Sequence, residues 1–232
     1  MNRIVLPVVA LALASGCAGA ARSVVLPVSM EAPLATATIE TGAKQRTRVF
    51  DFEIPRVAAS RQTGFVFKLG PVTLNKGRTS QERKFTIERS GSPFITDVNC
   101  MSVNQEQREG LLVYYRHSYT CSSPSGFELQ VDQTSQALFN GTVKYGGVAL
   151  EVVSTIDFTD GKQGWSPAGF HLRRDGRWLG TFEYFKDGKA YLAPDLAPEE
   201  HAAVLAAVVS ISSTGRWFQL NPDGTTGKRA GF

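Results

Sequence analysis

Along most of this chain apolar residues return at every second position, the period of a strand with one buried face. In Lys84-Phe85-Thr86-Ile87-Glu88, Phe85 and Ile87 share a face, and in Val49-Phe50-Asp51-Phe52-Glu53-Ile54 so do Phe50, Phe52 and Ile54. Segments rich in β-branched and aromatic residues lie at Thr36–Glu40, Thr47–Ile54, Gly64–Leu69, Lys84–Glu88, Phe94–Asn99, Leu111–Thr120, Phe127–Asp132, Gln136–Phe139, Thr142–Tyr145 and Val148–Phe158. Each is bounded by Gly, Pro, Asn or Ser, which marks strands. Asn140-Gly141 and Gly146-Gly147 read as hairpin turns on either side of Thr142–Tyr145. Asp160–Pro167 reads as a loop and as the candidate internal boundary. Beyond it, Gly169–Arg174, Trp178–Phe185 and Ala190–Ala193 are separated by Asp175-Gly176 and Asp187-Gly188, which predicts a three-stranded meander.

The pattern then changes. Ala197-Pro198-Glu199-Glu200 places proline in a first helical turn and carboxylates at the positive helix end. Ala202–Ile211 is apolar all round, which predicts a buried helix rather than one lying on a surface. The tail Thr214–Phe232, carrying Trp217 and Phe218, predicts one further edge strand. The fold class expected is mainly β: an antiparallel sandwich or barrel of roughly a dozen short strands with one apolar helix near the C-terminus. From Gly176–Gly180 and the meander before the helix, the layout resembles the tubby and scramblase-like fold. That resemblance implies an antiparallel barrel wrapped around a hydrophobic helix. A sandwich, or two stacked β-subdomains with the helix over an open end, accounts for the same pattern. The tail after the helix departs from that family, and no binding residues carry over from it.

The N-terminus has a different character. Arg3 precedes the apolar run Ile4–Ala14, which exits through Leu13-Ala14-Ser15-Gly16-Cys17. A positive start, a short apolar core and small exit residues describe a secretory signal, too short to span a membrane. Cys17 directly after Ala-Ser-Gly resembles the lipobox of bacterial lipoproteins, although Leu13 stands one place further back than the family's usual leucine. The resemblance implies cleavage before Cys17 and acylation of its thiol, and stable anchoring follows once two or more chains are attached. Ala18 and Gly19 follow the cysteine in place of the aspartate that retains family members at the inner membrane, which implies the outer membrane, facing the periplasm. The alternative is an ordinary signal cut near Ala18–Ala21, with Cys17 discarded. The expected organisation is a signal over 1–16, a lipidated tether over 17–33 and a single β-rich domain over 34–232.

Composition adds limits. The chain has 232 residues, 42% hydrophobic, enough for one packed domain or two small ones. Its 25 basic and 21 acidic residues are spread along the whole chain, so the net charge of +4 gives no footprint for nucleic acid. Of three cysteines, Cys100 and Cys121 remain once Cys17 is assigned to lipid. In an oxidising compartment that even pair suits a disulfide. Both sit at strand ends around the polar stretch Asn104–Gly110, as a hairpin stapled across its strands would place them; two free buried thiols are the alternative.

A search for catalytic chemistry finds little. Gly164-Trp165-Ser166-Pro167-Ala168 approaches a nucleophile elbow, but the residue after the nucleophile must donate its N–H and Pro167 has none. The three histidines, His117, His171 and His201, lack metal-binding spacing, though His117 and His171 could meet in space. Glu151, Asp157 and Glu183 lie in strands and could serve a cleft, as carboxylates in any β protein could. Gly224–Lys228 lacks the frame and the hydroxyl of a phosphate loop. The charges Arg173, Arg174, Asp175, Arg177, Glu183, Lys186, Asp187 and Lys189 read as a solvated sheet face, or as a contact for anionic lipid or polysaccharide. The expectation is therefore a lipid-anchored envelope protein in a non-enzymatic binding or assembly role. Its partners would be the membrane, through Cys17, and an envelope protein; no cofactor, metal or nucleic acid is expected. The alternatives are an envelope-acting β-fold hydrolase and an apolar-ligand carrier.

Overall fold

In the computed structural model the alternating segments are strands, described over residues 23–27, 35–41, 46–57, 59–63, 66–69, 72–75, 78–109, 112–135, 138–164, 166–184 and 188–214. The early strands are β1 (Ala35–Thr38), β2 (Glu40–Thr41), β3 (Thr47–Val49), β4 (Phe52–Ile54), β5 (Ala59–Thr63), β6 (Val66–Leu69) and β7 (Val72–Asn75). Three long strands follow: β8 (Arg78–Arg89), β9 (Ser92–Glu109) and β10 (Leu112–Ser122). The remainder are β11 (Glu128–Gln133), β12 (Phe139–Tyr145), β13 (Val148–Thr155), β14 (Gly169–Arg174), β15 (Arg177–Glu183) and β16 (Lys189–Leu192), ahead of one helix, α1 (Pro198–Ser212).

Neighbouring strands pair in the order β1-β16-β15-β14-β13-β12-β11-β10-β9-β8-β4-β3-β2, antiparallel throughout. β1 and β2 are two halves of one strand interrupted at the buried Ile39: the first half pairs with β16 and the second with β3. The sheet thereby meets itself as a nearly closed barrel of twelve strands. Of the architectures the sequence left open, the barrel around the helix is the one adopted. The wall is apolar inside, with Leu129, Val131, Val143, Leu150 and Val152 buried, and polar outside, with Glu128, Lys144 and Glu151 exposed. The loop between β13 and β14 joins neighbours in one sheet.

α1 is the lumen filling. Ala202 through Ser212 are buried without a break, so beyond its exposed first turn no face of the helix meets water. Among the described residues no helix is long and apolar enough to cross a membrane. The helix approaches the wall closely at Gly180 of β15, where a Cβ would lie 2.8 Å from Val204 Cγ1. Glu200 fixes the N-terminal end: its carboxylate accepts from Arg177 Nη2 at 2.6 Å and from the Ala197 backbone N–H at 3.3 Å, with Arg174 at 3.4 Å. Those contacts tie the helix start to the β14–β15 turn, Asp175-Gly176, where both residues have positive φ (49° and 77°) as a twisted two-residue hairpin requires.

Several expectations need correction. Asn140-Gly141 is no turn but lies inside β12, paired with Asp132 and Val131 of β11. Its glycine is needed because a Cβ there would run into the Gln130 carbonyl: close strand approach, not turn geometry, selects it. Thr47–Ile54 is not one strand but a hairpin, with Phe50-Asp51 as its connection and Phe50 at φ 52°. A straight strand would set Val49 and Phe52 on opposite faces, whereas the turn buries both and leaves Phe50 half-buried. Asn104–Gly110 is not a loop as far as Glu109, because β9 continues through it in register with β10. Ser23–Pro27, expected within a free tether, is seated on the barrel. Asp187, Gln136 and the tail beyond Thr214 lie outside the described residues, as do the signal and Cys17.

Candidate functional site

The polar residues of the interior gather where α1 ends. A helix leaves its last carbonyls without intrahelical partners, and inside a barrel water cannot supply them. Here Tyr119 OH donates to Ser210 O at 3.0 Å, Ser213 Oγ to the same carbonyl at 2.7 Å, and Thr214 Oγ1 to Ile211 O at 2.6 Å. Arg83 Nη1 donates to Ser213 O at 2.5 Å, and its Nη2 to Gln81 Oε1 at 3.1 Å. Tyr184 hydrogen-bonds Thr214 through their hydroxyls. A guanidinium against these carbonyls complements the negative helix end. Arg83 is 5% exposed, and among the described residues no carboxylate pairs with it. Burial pushes the Tyr119 hydroxyl above its ordinary pKa, with the Arg83 charge pulling the other way.

Immediately outside the wall at this end lies the N-terminal strap, Ser23–Pro27. Val24 bridges Phe158, Val25 N–H donates to Asp157 O at 3.2 Å, and Thr159 N–H donates to Ser23 O at 2.9 Å. Val24 is 1% exposed and lies over Gly169, where a Cβ would come within 2.9 Å of its Cγ1. The strap covers Glu183, a carboxylate only 2% exposed, which accepts from Lys189 N–H at 2.8 Å, Tyr191 OH at 3.3 Å and Val24 N–H at 3.4 Å. Backbone donors thus stand in for the cation a buried carboxylate otherwise requires. Burial, and next the nearby Glu183 charge, raise the Tyr191 hydroxyl pKa.

The residues singled out from sequence are dispersed. Cys100 and Cys121 lie directly opposite each other on β9 and β10 and are joined as a disulfide. His117 shares the inward phase of Tyr119 and lies 6.5 Å, ring to ring, from Phe139. His171 alternates with the inward Phe170 and Leu172, so it faces the outside of the wall, and the two histidines do not converge. The His171 ring meets Thr181 Oγ1 at 2.8 Å and forms a T-shaped pair with Trp178, ring centres 5.2 Å apart; burial lowers its pKa to about 4, opposed by Asp157. His201 packs edge-on to Phe52, with burial lowering its pKa. Glu151 is exposed and paired with Arg173 at 2.5 Å, Asp157 binds Gln163 at 2.9 Å, and Glu183 is under the strap, so the three carboxylates serve three settings. Ser166 sits in the β13–β14 loop. Arg173, Arg174 and Arg177 all have carboxylate partners, which reduces the charge that this face offers a ligand. Lys186, Asp187 and Gly224–Lys228 are outside the described residues.

Sequence reading passed over Arg83, although the signal was there: it shares the inward phase of Phe85 and Ile87, a charge in an apolar register. Tyr119 and Tyr184 gave no such sign. Elsewhere, β9 bulges at Asp97 (φ 53°) and opens a groove of about 440 Å³ lined by Pro55, Arg56, Lys84, Glu88, Asp97 and Asn99. Its cations and anions balance, so it selects no ligand by charge. Among the described residues no cluster of three His, Cys, Asp or Glu is placed to hold a metal. No family model, curated protein or solved structure matches this chain.

Proposed function

We propose that this protein is a lipid-anchored domain of the cell envelope, held at the outer membrane through Cys17 on the periplasmic side, with a non-enzymatic binding or assembly role. The observation that carries this reading is the seated strap. Only the residues 18–22 separate Cys17 from Ser23, and Ser23–Pro27 is already fixed on the wall by Glu183 and Asp157. A chain leaving an acylated Cys17 therefore reaches the barrel almost at once and holds it near the bilayer. The lumen supports binding at the outer surface over carriage of an apolar ligand, since α1 already occupies the space such a ligand needs.

The test is metabolic labelling with palmitate. Label is expected on the full chain and lost with Cys17→Ala, together with recovery in the membrane fraction. Normal labelling of Cys17→Ala overturns the anchor. Co-purification from detergent-solubilised envelope then reads the role: one stoichiometric protein supports assembly, and bound lipid alone in its place overturns it.

A further inference from the structure

We propose that the groove on the outer wall over Thr86 binds a short peptide through both of its charged termini. This names a ligand class for the binding role inferred above, and it uses the folded wall alone, so it does not depend on the anchor. The groove exists because both neighbours of β8 part from it at the same place. On one side Phe85 pairs with Val98 and Ile87 with Ile95, so β9 carries one residue more than β8 offers opposite it. On the other side β4 pairs as far as Glu53–Glu88, and β5 resumes only at Ala59–Lys84. Thr86 is thus the one residue of β8 with no ladder partner on either side.

An extra residue re-aims the side chains beside it. Ile95 and Val98 both point inward, so Thr96 and Asp97 point outward in succession, with Asp97 at φ 53°. Asp97 and Asn99 form one bank of the groove, and Pro55 and the exposed Arg56 form the other. Lys84, Thr86 and Glu88, on the outward phase of β8, lie between them. The volume of about 440 Å³ falls within the range of ligand pockets.

The charges are set by sign. Arg56 faces Asp97 across Thr86, and along β8 Lys84 stands at one end and Glu88 at the other. Lys84 has Glu82 at 3.6 Å, whereas among the described residues Arg56, Glu88 and Asp97 form no ion pair. Because these charges balance, net charge draws neither a simple anion nor a simple cation; their arrangement fits a ligand that carries both. The banks belong to segments on either side of β8, two strand spacings or about 10 Å apart. Three residues of extended chain span about the same distance. A carboxylate terminus on Arg56 gains a charge-assisted, two-pronged bond, and the ammonium terminus meets Asp97 and Glu88.

Amide shifts of the isotope-labelled full chain in detergent, titrated with trialanine, test this. Trialanine is expected to shift Thr86, Asp97 and Asn99 saturably and to leave Ser125, in the β10–β11 connection, unmoved. Acetylating its N-terminus or amidating its C-terminus weakens binding by roughly two- to fivefold, the scale of an exposed ion pair. With Arg56→Gln, trialanine and its amide bind alike. With Asp97→Asn and Glu88→Gln together, trialanine and its acetyl form bind alike, and asparagine accepts the left-handed backbone at 97. Equal binding of free and capped peptides to the unaltered chain, or no saturable shift, overturns the proposal. Saturation by glycerophosphoethanolamine in place of trialanine overturns it in favour of a lipid headgroup, and by inorganic phosphate in favour of a simple anion. Palmitate label on the same chain reads the anchor separately. A labelled chain that does not bind trialanine overturns the groove alone, and an unlabelled chain that binds it overturns the anchor alone.

Discussion

The helix inside the barrel makes Gly180→Ala a sharp probe. The new methyl would lie 2.8 Å from Val204 Cγ1, where carbon pairs are comfortable at about 3.5–4.0 Å. Little can give way. Valine in a helix holds one χ1 rotamer, and α1 is enclosed on all sides and cannot retreat. Overpacking of this kind costs about 1–3 kcal/mol. Gly→Ala also restricts the unfolded chain, which returns about 0.4–1 kcal/mol. The net expectation is a loss of about 1–2 kcal/mol, taking the middle of the overpacking range less that return. Val204→Ala alone leaves a cavity and costs about 2 kcal/mol. In the Val204→Ala background the same alanine at 180 has room, so its effect becomes neutral or stabilising. The assay is urea unfolding of the four proteins of the cycle, read as shifts in midpoint at constant m. The expected coupling is about 1–2 kcal/mol in favour of the double variant. Additivity within about 0.5 kcal/mol would mean that β15 and α1 do not touch at this register, and the account of the lumen would fail.

Two further outcomes follow from the wall. His171 has its pKa lowered to about 4 from 6.5, so the unfolded chain binds its proton first. Stability from this group is complete above pH 6.5 and is lost as pH falls towards 4, by about 3 kcal/mol in all. His171→Gln should flatten that part of a stability-against-pH curve, and an unchanged curve would refute the burial argument. Replacing both cysteines, Cys100→Ala with Cys121→Ala, releases a closed loop of sequence separation 21 and should cost about 3 kcal/mol. Thermal unfolding would then fall by about 6–12 °C, and a shift below about 2 °C would show that the bridge adds nothing in the native chain.

Much of the wall was legible because its signals are local. Phe85 and Ile87 point inward as their alternation implied, Asp175-Gly176 and Gly146-Gly147 are turns, and Ala202–Ile211 is a helix buried on every side. The cross-strand position of Cys100 and Cys121 followed from their flanking strands. Where a local signal had two physical causes, reading failed. Glycine after asparagine suits a tight turn, but at 141 it answers a neighbouring carbonyl instead. Phe50 took a left-handed conformation that no residue in its surroundings announced.

The site was less legible. Arg83 and Ser213, 130 positions apart, and Tyr119 and Ser210, 91 apart, are partners only because the barrel closes around the helix. The strap is a still clearer case, since Val24 and Glu183 are 159 positions apart. In composition alone, Ser23–Pro27 is indistinguishable from a free tether.

The amino-acid order by itself determined a sheet protein with one greasy helix and a stapled hairpin, since period, turn chemistry and spacing are properties of neighbours. The closure through a strand broken at Ile39, the burial of Arg83 and Glu183 and the docking of the strap were decided only in three dimensions. Each depends on which distant backbone donor or carbonyl lies opposite, and the chain records no such pairing until it has folded.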